Sequence, residues 1–383
     1  MTTTTTNYGW VKPDVGASDD VWGGYINTDL DGIDTIVKGV SVVANAAYPA
    51  SNPSGYQTAA QVAAVVIGDN RIINGDMRID QRNNGASGTA LGYAVDRWSV
   101  GGNLAGKGSW GRNFGALAGS PGFPYYFGFS SNSNYTTATG DTLLIQQAIE
   151  ADAVSDFQWG SASAQPVTLS FWAISNVVGT YGGSIRHYTG PRSYPFSFSI
   201  PTASIWTRIV ITIPGDTGGS WTLSGNSGAM WLGFDIGVGS NARGPANRWA
   251  STAYLGVMGT NSVVALNGGQ LYVTGVKLEI GSVATPFNRQ SLAKSMADCQ
   301  RYYQVGAIWT SIVAQGVGKF GTQTTLPVQM RAAPTMAFSG VASGNCSGLV
   351  PANMTDFGFI SAANASAAGE AYFNANYAAN AEL

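Results

Sequence analysis

The side chains that could do acid–base, nucleophilic or metal chemistry are scarce in this 383-residue sequence. It contains one histidine, His187, and two cysteines, Cys299 and Cys346. A single imidazole excludes zinc sites built from two or three histidines, and these three residues alone cannot complete a structural four-ligand site. No Gly-x-Ser-x-Gly motif surrounds a candidate serine nucleophile at a strand-to-helix turn. We therefore predict that both thiols are free and that His187 is not a catalytic base.

The carboxylates leave one further chemistry open, the cleavage of glycosidic bonds. That reaction uses two carboxyl groups about 5 to 10 Å apart. The 21 Asp and Glu residues include pairs such as Asp216 and Asp235, but no spacing in the sequence singles out one pair. We also find no sequence repeat of fixed period, which would indicate a β-helical enzyme. We predict that the protein is not an enzyme.

Aromatic residues beside planar polar residues are more frequent than any catalytic pattern. Saccharides are bound by aromatic faces that stack on sugar C–H groups, while amide, carboxylate or guanidinium groups fix the hydroxyls. Sequence clusters at 123–135 and 186–196 and the C-terminal region combine both residue types. The candidate saccharide-binding residues are Tyr125, Tyr126, Tyr135, Tyr188, Arg192, Tyr194, Trp309 and Tyr372. Alternating aromatics in a strand place half of their number in the core, so core packing is the alternative for each.

Composition excludes several classes of partner. The formal net charge is −2, from 19 Lys and Arg against 21 Asp and Glu, so the chain cannot neutralise a nucleic-acid backbone. Only 10% of the residues are charged, against about 25% in an average soluble domain. Apolar stretches such as residues 62–67 are far shorter than the ~20 residues of a membrane span. Residues 1–6 lack the basic and apolar segments of a secretory signal. We predict no nucleic-acid binding, no membrane insertion and no cleaved signal.

A helix is predicted over residues 18–45. Ser18 is a suitable N-cap, and two acidic residues follow it in the first turn. Apolar residues then recur at steps of 4 and 3, the period of a coiled-coil seam, and β-branched residues at both core positions favour trimers. The residues predicted to make trimer or anchoring contacts are Trp22, Ile26, Leu30, Ile33, Val37 and Val40. The alternative is one face of an amphipathic helix that packs on its own domain.

The centre of the chain is rich in strand patterns. Segments such as 167–172, 208–213 and 230–236 contain β-branched and aromatic residues and are bounded by Gly, Pro, Asn or Ser. Many short strands without intervening helices predict an antiparallel sandwich over residues 69–290.

A helix and a smaller β domain are predicted after the sandwich. Residues 289–303 carry an apolar stripe of helical spacing, and short strand patterns return from residue 305. The stripe consists of Leu292, Met296, Cys299 and Tyr303. The predicted fold class is therefore mainly β, with an antiparallel sandwich between a short helical module and a small β domain. The predicted domains are 1–68, 69–290 and 291–383.

Three groups of motifs recur together in one known family. They are Tyr8-Gly9-Trp10-Val11-Lys12-Pro13 with residues 20–34 near the N-terminus, residues 72–82 with Asp96-Arg97-Trp98 at the start of the sandwich, and residues 274–281, 284–287 and 299–303 at its end. In these stretches the chain resembles phage and prophage tail-fibre proteins that contain a carbohydrate-binding-like β-sandwich. The last residues, 380–383, are similar to the usual short ending of that family.

The resemblance implies an architecture and a function. It implies a virion-anchoring module over residues 1–68, a galactose-binding-like jelly roll over 69–290 and a receptor-facing domain over 291–383, assembled as a homotrimer. The chain would be made in the host cytoplasm and carried on the virion, in the tail or tail fibre. Its N-terminus would attach to other phage tail or baseplate proteins, and it would bind host cell-surface polysaccharide. The alternatives are an architectural collar or head-fibre protein without glycan binding and, less favoured, a polysaccharide depolymerase.

The resemblance also bears on cofactors and on two local motifs. In related sugar-binding sandwiches, acids near the first and last strands can hold a structural Ca²⁺, and Asp76 and Glu279 stand at the analogous positions. Because Ca²⁺ needs six or more oxygens, we favour a turn residue and a satisfied strand carboxylate and predict no other cofactor. Asp96 and Arg97 are interpreted as a surface ion pair and Trp98 as a core residue. Arg301 is predicted to pack the helix onto the sandwich.

Overall fold

The structure is a computed structural model that describes residues 3–12, 22–47, 69–115, 117 and 121–383. It divides the chain into two compact units, Met1–Val66 and Ile67–Leu383. No helix in the part of the chain that the structure describes is long and apolar enough to cross a lipid bilayer.

The first unit holds one long helix beside a small strand pair. Its described elements are β1 (Thr3–Thr4), β2 (Val11–Lys12) and α1 (Trp22–Ala47). β1 and β2 pair antiparallel. The buried carboxylate of Asp34, on α1, accepts hydrogen bonds from Thr5 Oγ1 and from the backbone N–H groups of Asn7 and Tyr8. These charge-assisted bonds fix the segment after β1 against the helix.

The predicted seam lies on α1 as an exposed stripe. Ile33 is 48% exposed and Val40 is 65% exposed, Ile26 and Val37 are exposed as well, and Leu30 is half-buried. Among the described residues this stripe is therefore largely uncovered, and its assignment to trimer contacts stays a prediction. The predicted N-cap at Ser18 lies outside the described residues.

Two antiparallel sheets form the larger part of the second unit. The first sheet contains β3 (Gly92–Val95), β4 (Trp98–Gly102), β7 (Leu143–Glu150), β9 (Gly179–His187), β10 (Ser193–Ile200) and β12 (Gly228–Asp235). Its strand order is β10-β9-β12-β7-β4-β3. The second sheet contains β5 (Gly108–Arg112), β6 (Phe127–Ser131), β8 (Val167–Ser175), β11 (Thr207–Ile213) and β15 (Gln270–Ile280), in the order β11-β8-β15-β6-β5. The predicted antiparallel sandwich of the jelly-roll class is confirmed.

The core of the sandwich follows from the two-residue period of its strands. Along β12, Met230, Leu232 and Phe234 are buried in the core, whereas Trp231 between them is partly exposed. Since successive side chains of a strand point to opposite faces, Trp231 stands on the outer face of the six-stranded sheet. Phe171 of the second sheet packs edge-on against Phe234, which closes the space between the sheets.

Short elements cover the edges and the outer face of the sandwich. The two-residue strands β13 (Arg243–Gly244) and β14 (Gly256–Val257) pair in parallel. Single 3₁₀ turns span Ser240–Ala242 and Val263–Ala265, and two 3₁₀ turns joined by a kink at Val154 span Asp152–Phe157.

A short helix links the sandwich to the C-terminal strands. Helix α2 (Leu292–Gln300) begins at Ser291, whose side chain accepts a hydrogen bond from the Lys294 backbone N–H. The helix was predicted in this region, but the stripe was partly wrong, because Leu292 is exposed and the buried positions are Ser295 and Cys299. Both cysteines are free.

The C-terminal strands form a second, smaller β-sandwich. Its strands are β16 (Tyr303–Ala314), β17 (Gly318–Thr325), β18 (Thr335–Gly344), β19 (Cys346–Ala352), β20 (Gly358–Ala365) and β21 (Gly369–Asn380). They form two three-stranded sheets in the orders β16-β21-β18 and β17-β20-β19. The core includes Phe359, Phe373 and Tyr377.

Buried ion pairs join the two β-sandwiches. Arg97, only 1% exposed, pairs with Glu382 near the C-terminus, and Arg82 donates to the same carboxylate. Arg301, just after α2, donates from Nε to Glu150 of β7 at 3.1 Å, which agrees with its predicted packing role. Trp98 lies in the core as predicted. The predicted surface ion pair at Asp96 and Arg97 is wrong, because both side chains are buried and Arg97 has a partner 285 residues away.

Candidate functional site

A row of planar side chains stands on the outer face of the six-stranded sheet. Trp231 on β12 lies directly opposite Arg186 on β9 in the antiparallel register, so both side chains share this outer face. Tyr188 follows Arg186 by two residues and joins the same face. Gln146 on β7 pairs with Gly233, two residues beyond Trp231 on β12. We call Tyr188, Trp231, Arg186 and Gln146 the planar row.

Each member of the planar row contacts the next one along the outer face of the sheet. The rings of Tyr188 and Trp231 are nearly parallel, at 10°, with their centroids 5.4 Å apart. The Arg186 guanidinium carbon lies 5.1 Å from the centroid of the Trp231 ring, a cation–π arrangement. Arg186 Nη2 donates a hydrogen bond to Gln146 Oε1 at 3.2 Å. The result is a fixed series of two rings, a guanidinium and an amide, all of them partly exposed.

Glycines in the same sheet make room for the planar row. A Cβ at Gly228 would lie 2.4 Å from Tyr188 Cδ2, and a Cβ at Gly101 would lie 2.2 Å from Gln146 Nε2. Any larger residue at either position would therefore displace the ring or the amide that lies over it. Glycine at these two positions therefore leaves the space that Tyr188 and Gln146 occupy.

Arg186 is the charged residue of the planar row. Burial lowers the pKa of its guanidinium to about 10. Within the described residues, Gln146 Oε1 is its one hydrogen-bond acceptor, and no carboxylate acts on its pKa. Trp231 Nε1 likewise donates to no acceptor in the part of the chain that the structure describes. The row thus presents aromatic surface together with unused N–H donors.

The β13–β14 segment bounds the planar row on the same face. A Cβ at Gly182 of β9 would lie 3.1 Å from the Val257 backbone nitrogen, so this segment lies directly on the strand. Under it, Arg243 Nη2 lies 2.9 Å from the Asp235 carboxylate. Burial raises the pKa of Asp235 to about 7, although Arg243 acts in the opposite direction.

Arg192, a predicted saccharide-binding residue, belongs to a structural cluster at one end of the sandwich. Its Nε donates to Asp216 at 2.8 Å, and Trp221 Nε1 donates to the same carboxylate at 2.9 Å. Trp159 and Trp249 pack edge-on against Trp221 and against each other. Asp216 and Asp235, the carboxylate pair named above, are each engaged with a different arginine.

His187 supports a turn. Its Nδ1 accepts hydrogen bonds from the backbone N–H groups of Thr189 and Gly190, and its ring lies against Trp221 with centroids 5.1 Å apart. Burial lowers the pKa of this imidazole.

The fold places the tyrosines that were predicted to bind saccharide in different parts of the sandwich. Tyr188 belongs to the planar row, whereas Tyr194 is 3% exposed and lies in the core. Tyr194 is therefore corrected to a core residue, because it points between the sheets and not to solvent. Tyr126 stacks on Tyr272 at 5.1 Å on the five-stranded sheet. Tyr125 packs partly against the core.

Tyr135 is held by polar contacts at the edge of the sandwich. Its hydroxyl donates to Asp141 Oδ2 at 2.9 Å, and Lys107 Nζ lies 4.2 Å from its ring centroid. The hydrogen bond raises the pKa of the phenol.

Trp309 and Tyr372 share an exposed face of the C-terminal sandwich. Trp309 pairs with Asn374, and Tyr372 pairs with Ser311 two residues along β16, so both aromatic side chains stand on one face of that sheet. Trp309 is 67% exposed and Tyr372 is 38% exposed. They form an aromatic patch remote in sequence from the planar row.

The two carboxylates considered for Ca²⁺ do not fit a calcium shell. Glu279 lies 2.9 Å from the buried Lys277 ammonium and accepts hydrogen bonds from the N–H and hydroxyl groups of Thr285. Asp76 lies 3.8 Å from Arg78. Among the residues described, no group of three or more His, Cys, Asp or Glu side chains is placed to hold a metal. Both residues are therefore interpreted as structural carboxylates.

Sequence reasoning missed Trp231, Gln146 and Arg186. Trp231 alternates with Met230 and Leu232 in a segment that was predicted as a strand, and this alternation places it on a different face from its neighbours. Arg186 lies at the edge of the predicted cluster 186–196, outside the residues predicted to bind saccharide. No local signal connects Gln146 with either residue, because β7, β9 and β12 meet only through long-range pairing.

Comparison with protein-family models and with curated proteins gives no match. Among solved structures, the chain is similar to a putative sugar binding protein from Bacteroides thetaiotaomicron (11% identity, TM-score 0.34, 56% of this chain and 100% of that chain). It is also similar to a family 11 carbohydrate-binding module from Clostridium thermocellum (13%, 0.26, 50% and 93%). A third similarity is to the enzymatically active domain of bacteriophage CBA120 tailspike protein 4 (14%, 0.27, 55% and 21%). With these TM-scores, the likenesses do not indicate a ligand or partner for this chain.

Proposed function

We propose that this protein is a structural subunit of a phage virion fibre, most simply a tail fibre, and that it binds host cell-surface polysaccharide. The planar row on the sandwich is the observation that carries the proposal. Two aromatic rings, a guanidinium and an amide lie on one rigid sheet, partly exposed and with unused N–H donors. This combination supplies apolar surface for sugar C–H groups and hydrogen bonds for hydroxyls.

Binding is favoured over catalysis by the state of the acidic residues. Glycoside hydrolysis needs two available carboxyl groups. Asp216 and Asp235 are each held by an arginine, and Glu150, on the same face as the planar row, accepts hydrogen bonds from Arg301 and Tyr302. These carboxylates support the structure, and we assign no reaction to the chain.

The fibre role is supported by the N-terminal helix. An apolar stripe of coiled-coil period stays exposed on α1 in the single chain, as expected of a surface that is covered by copies of the same chain in a trimer. Together with the tail-fibre-like motifs, this stripe supports attachment through the N-terminus to tail or baseplate proteins and a location on the virion.

A glycan-binding experiment tests the proposal. The full-length protein is applied to an array of bacterial capsular and lipopolysaccharide glycans beside Trp231→Ala and Trp309→Ala, the second of which removes the indole of the competing aromatic patch on the C-terminal sandwich. We expect Trp231→Ala to weaken binding by about tenfold, because a well-packed aromatic contact contributes roughly 0.5–1.5 kcal/mol beyond its buried apolar area and 1.4 kcal/mol is tenfold. Trp309→Ala should bind as the parent does, and circular dichroism should show that both variants are folded.

Two results would contradict the proposal in different ways. Loss of binding in Trp309→Ala with no change in Trp231→Ala would move the site to the exposed face of the C-terminal sandwich. Absence of binding to every glycan would favour the architectural role as a collar or head-fibre protein.

A further inference from the structure

Arg186 differs from the other arginines of the described chain. Eight arginines have a carboxylate oxygen within 4 Å, namely Arg71, Arg78, Arg82, Arg97, Arg112, Arg192, Arg243 and Arg301. Arg208, Arg248 and Arg289 are exposed to solvent, and Arg331 donates to three backbone carbonyls. Arg186 is half-buried, yet its protein partners in the described residues are one neutral amide and one indole ring.

A half-buried guanidinium with no anion beside it has lost part of its hydration without gaining a counter-charge. Removing a charge from water is costly unless a counter-charge and hydrogen bonds replace the lost hydration. Gln146 engages only Nη2 of Arg186, which leaves Nη1 and Nε without an acceptor in the described structure. An anion that reached these two nitrogens would form charge-assisted hydrogen bonds in a setting of low dielectric.

The carboxylates on the same face do not balance the positive charge of Arg186. Asp235 on β12 is bound by Arg243, and Glu150 on β7 is bound by Arg301 and Tyr302. Because both carboxylates are already neutralised, an incoming anion at Arg186 meets little repulsion from them. The planar row therefore has one unbalanced positive charge beside its aromatic surface.

We infer that the planar row binds an acidic saccharide, with a carboxylate or phosphate group of the sugar accepting hydrogen bonds from Arg186 and a sugar ring against Trp231 and Tyr188. The inference rests on the proposed glycan-binding function and specifies its ligand. Arg186 is then the residue that selects charged over neutral polysaccharides, and Gln146 holds its guanidinium in place.

The test uses the full-length protein and every array polysaccharide that binds it. Each polysaccharide is presented in three forms: untreated, reduced at its carboxyl groups to primary alcohols, and dephosphorylated with hydrofluoric acid. Affinities are measured for the parent and for Arg186→Gln. We expect the parent to lose roughly 10- to 100-fold in affinity when the acidic group is removed, the range for hydrogen bonds to a charged group. Loss on reduction identifies a carboxylate, and loss on dephosphorylation identifies a phosphate.

The variant and the treatment should act through the same contact. Arg186→Gln should show a similar loss with the untreated polysaccharide and little further loss with the acid-free form, because both changes remove one interaction. Its melting temperature should stay close to that of the parent, because Arg186 is partly exposed and makes no ion pair within the described protein. A lower melting temperature together with equal loss of binding to acidic and acid-free forms would assign Arg186 a structural role and overturn the inference.

Arg208→Gln is the matched control. Arg208 lies opposite Trp172 in the second sheet, as Arg186 lies opposite Trp231, but it is exposed to solvent. This variant loses the same charge and should bind as the parent does. A second result would overturn the acidic specificity alone. In it, Arg186→Gln binds untreated polysaccharide as well as the parent does, whereas Trp231→Ala binds it more weakly. The proposed glycan binding would then stand. If the parent binds no polysaccharide at all, the proposed function fails, and the inference fails with it.

Discussion

At the scale of single residues, His187 shows how a chemically versatile side chain can serve structure. Its Nδ1 accepts two backbone N–H groups of the turn between β9 and β10, and this requires that Nδ1 carry no proton. Burial acts in the same direction, because it disfavours the charged ring and lowers the pKa. The neutral imidazole therefore belongs to the folded state.

The pKa of His187 is open to direct measurement. We expect a value below 6.5, the ordinary value for histidine, in an NMR titration of its ring C–H signals, which are unique because the chain has one histidine. Unfolding returns the pKa to its ordinary value. The contribution of the neutral ring to stability is therefore complete above pH 6.5 and is lost as the pH falls from there through the folded-state value.

A variant separates this effect from other titrations. His187→Asn should cost more free energy of unfolding at pH 7.5 than at pH 5.5, as measured by urea denaturation. An equal cost at both pH values, or a folded-state pKa above 6.5, would show that the turn does not depend on the neutral ring.

At the scale of elements, helix α1 carries an unusual amount of exposed apolar surface. Ile26, Ile33, Val37 and Val40 lie one above another because their 4-and-3 spacing follows the helical turn. A solvated stripe of this kind is unfavourable in a monomer, and copies of the same helix present a matching surface. Trimerisation through this stripe remains a prediction.

Substitution of the stripe tests the role of α1. Ile33→Asp should convert a trimer into a monomer in sedimentation-velocity experiments, because a buried carboxylate at the seam has no partner. Thr35→Asp introduces the same charge on an exposed position of α1 outside the stripe and should leave the assembly intact. A parent protein that sediments as a monomer would remove the basis of the trimer prediction.

At the scale of the whole second unit, a few buried ions connect the two β-sandwiches. Glu382 binds Arg82 and the buried Arg97, and Arg331 donates to the carbonyls of Ala381 and Glu382. Since Arg97 also donates to the Ala148 carbonyl at 2.5 Å, the C-terminal residues are tied to the edge of β7. The last residues of the chain therefore hold the sandwiches together.

Removal of one charge should weaken this junction strongly. Glu382→Gln leaves Arg97 buried without its anion, and breaking such a pair costs about 3–5 kcal/mol of unfolding free energy. The measurement is urea denaturation followed by circular dichroism. Glu370→Gln, at an exposed glutamate on β21, is the control and should change stability by less than about 0.5 kcal/mol. Equal effects of the two substitutions would show that the Glu382 pair is not important for stability.

Much of the fold could be predicted because strand and helix patterns are local. Segments such as 167–172 and 208–213 are identified as strands because they are rich in β-branched and aromatic residues and are bounded by turn-forming residues. Many such segments without helices between them lead to an antiparallel sandwich. The small numbers of charged residues and histidines also argue, from the sequence alone, against histidine-based zinc sites and against nucleic-acid binding.

The sequence by itself therefore determined the strand pattern, the fold class and the apolar repeat along α1, since each depends on residues a few positions apart. The tertiary structure alone decided which aromatic residues face solvent, placing Tyr194 in the core and Trp231 on the outer face. It also brought Arg186 to Gln146 and Arg97 to Glu382. The physical reason is that alternation fixes which residues share a face of a strand. Only the pairing of distant strands fixes what covers that face and which charges meet there.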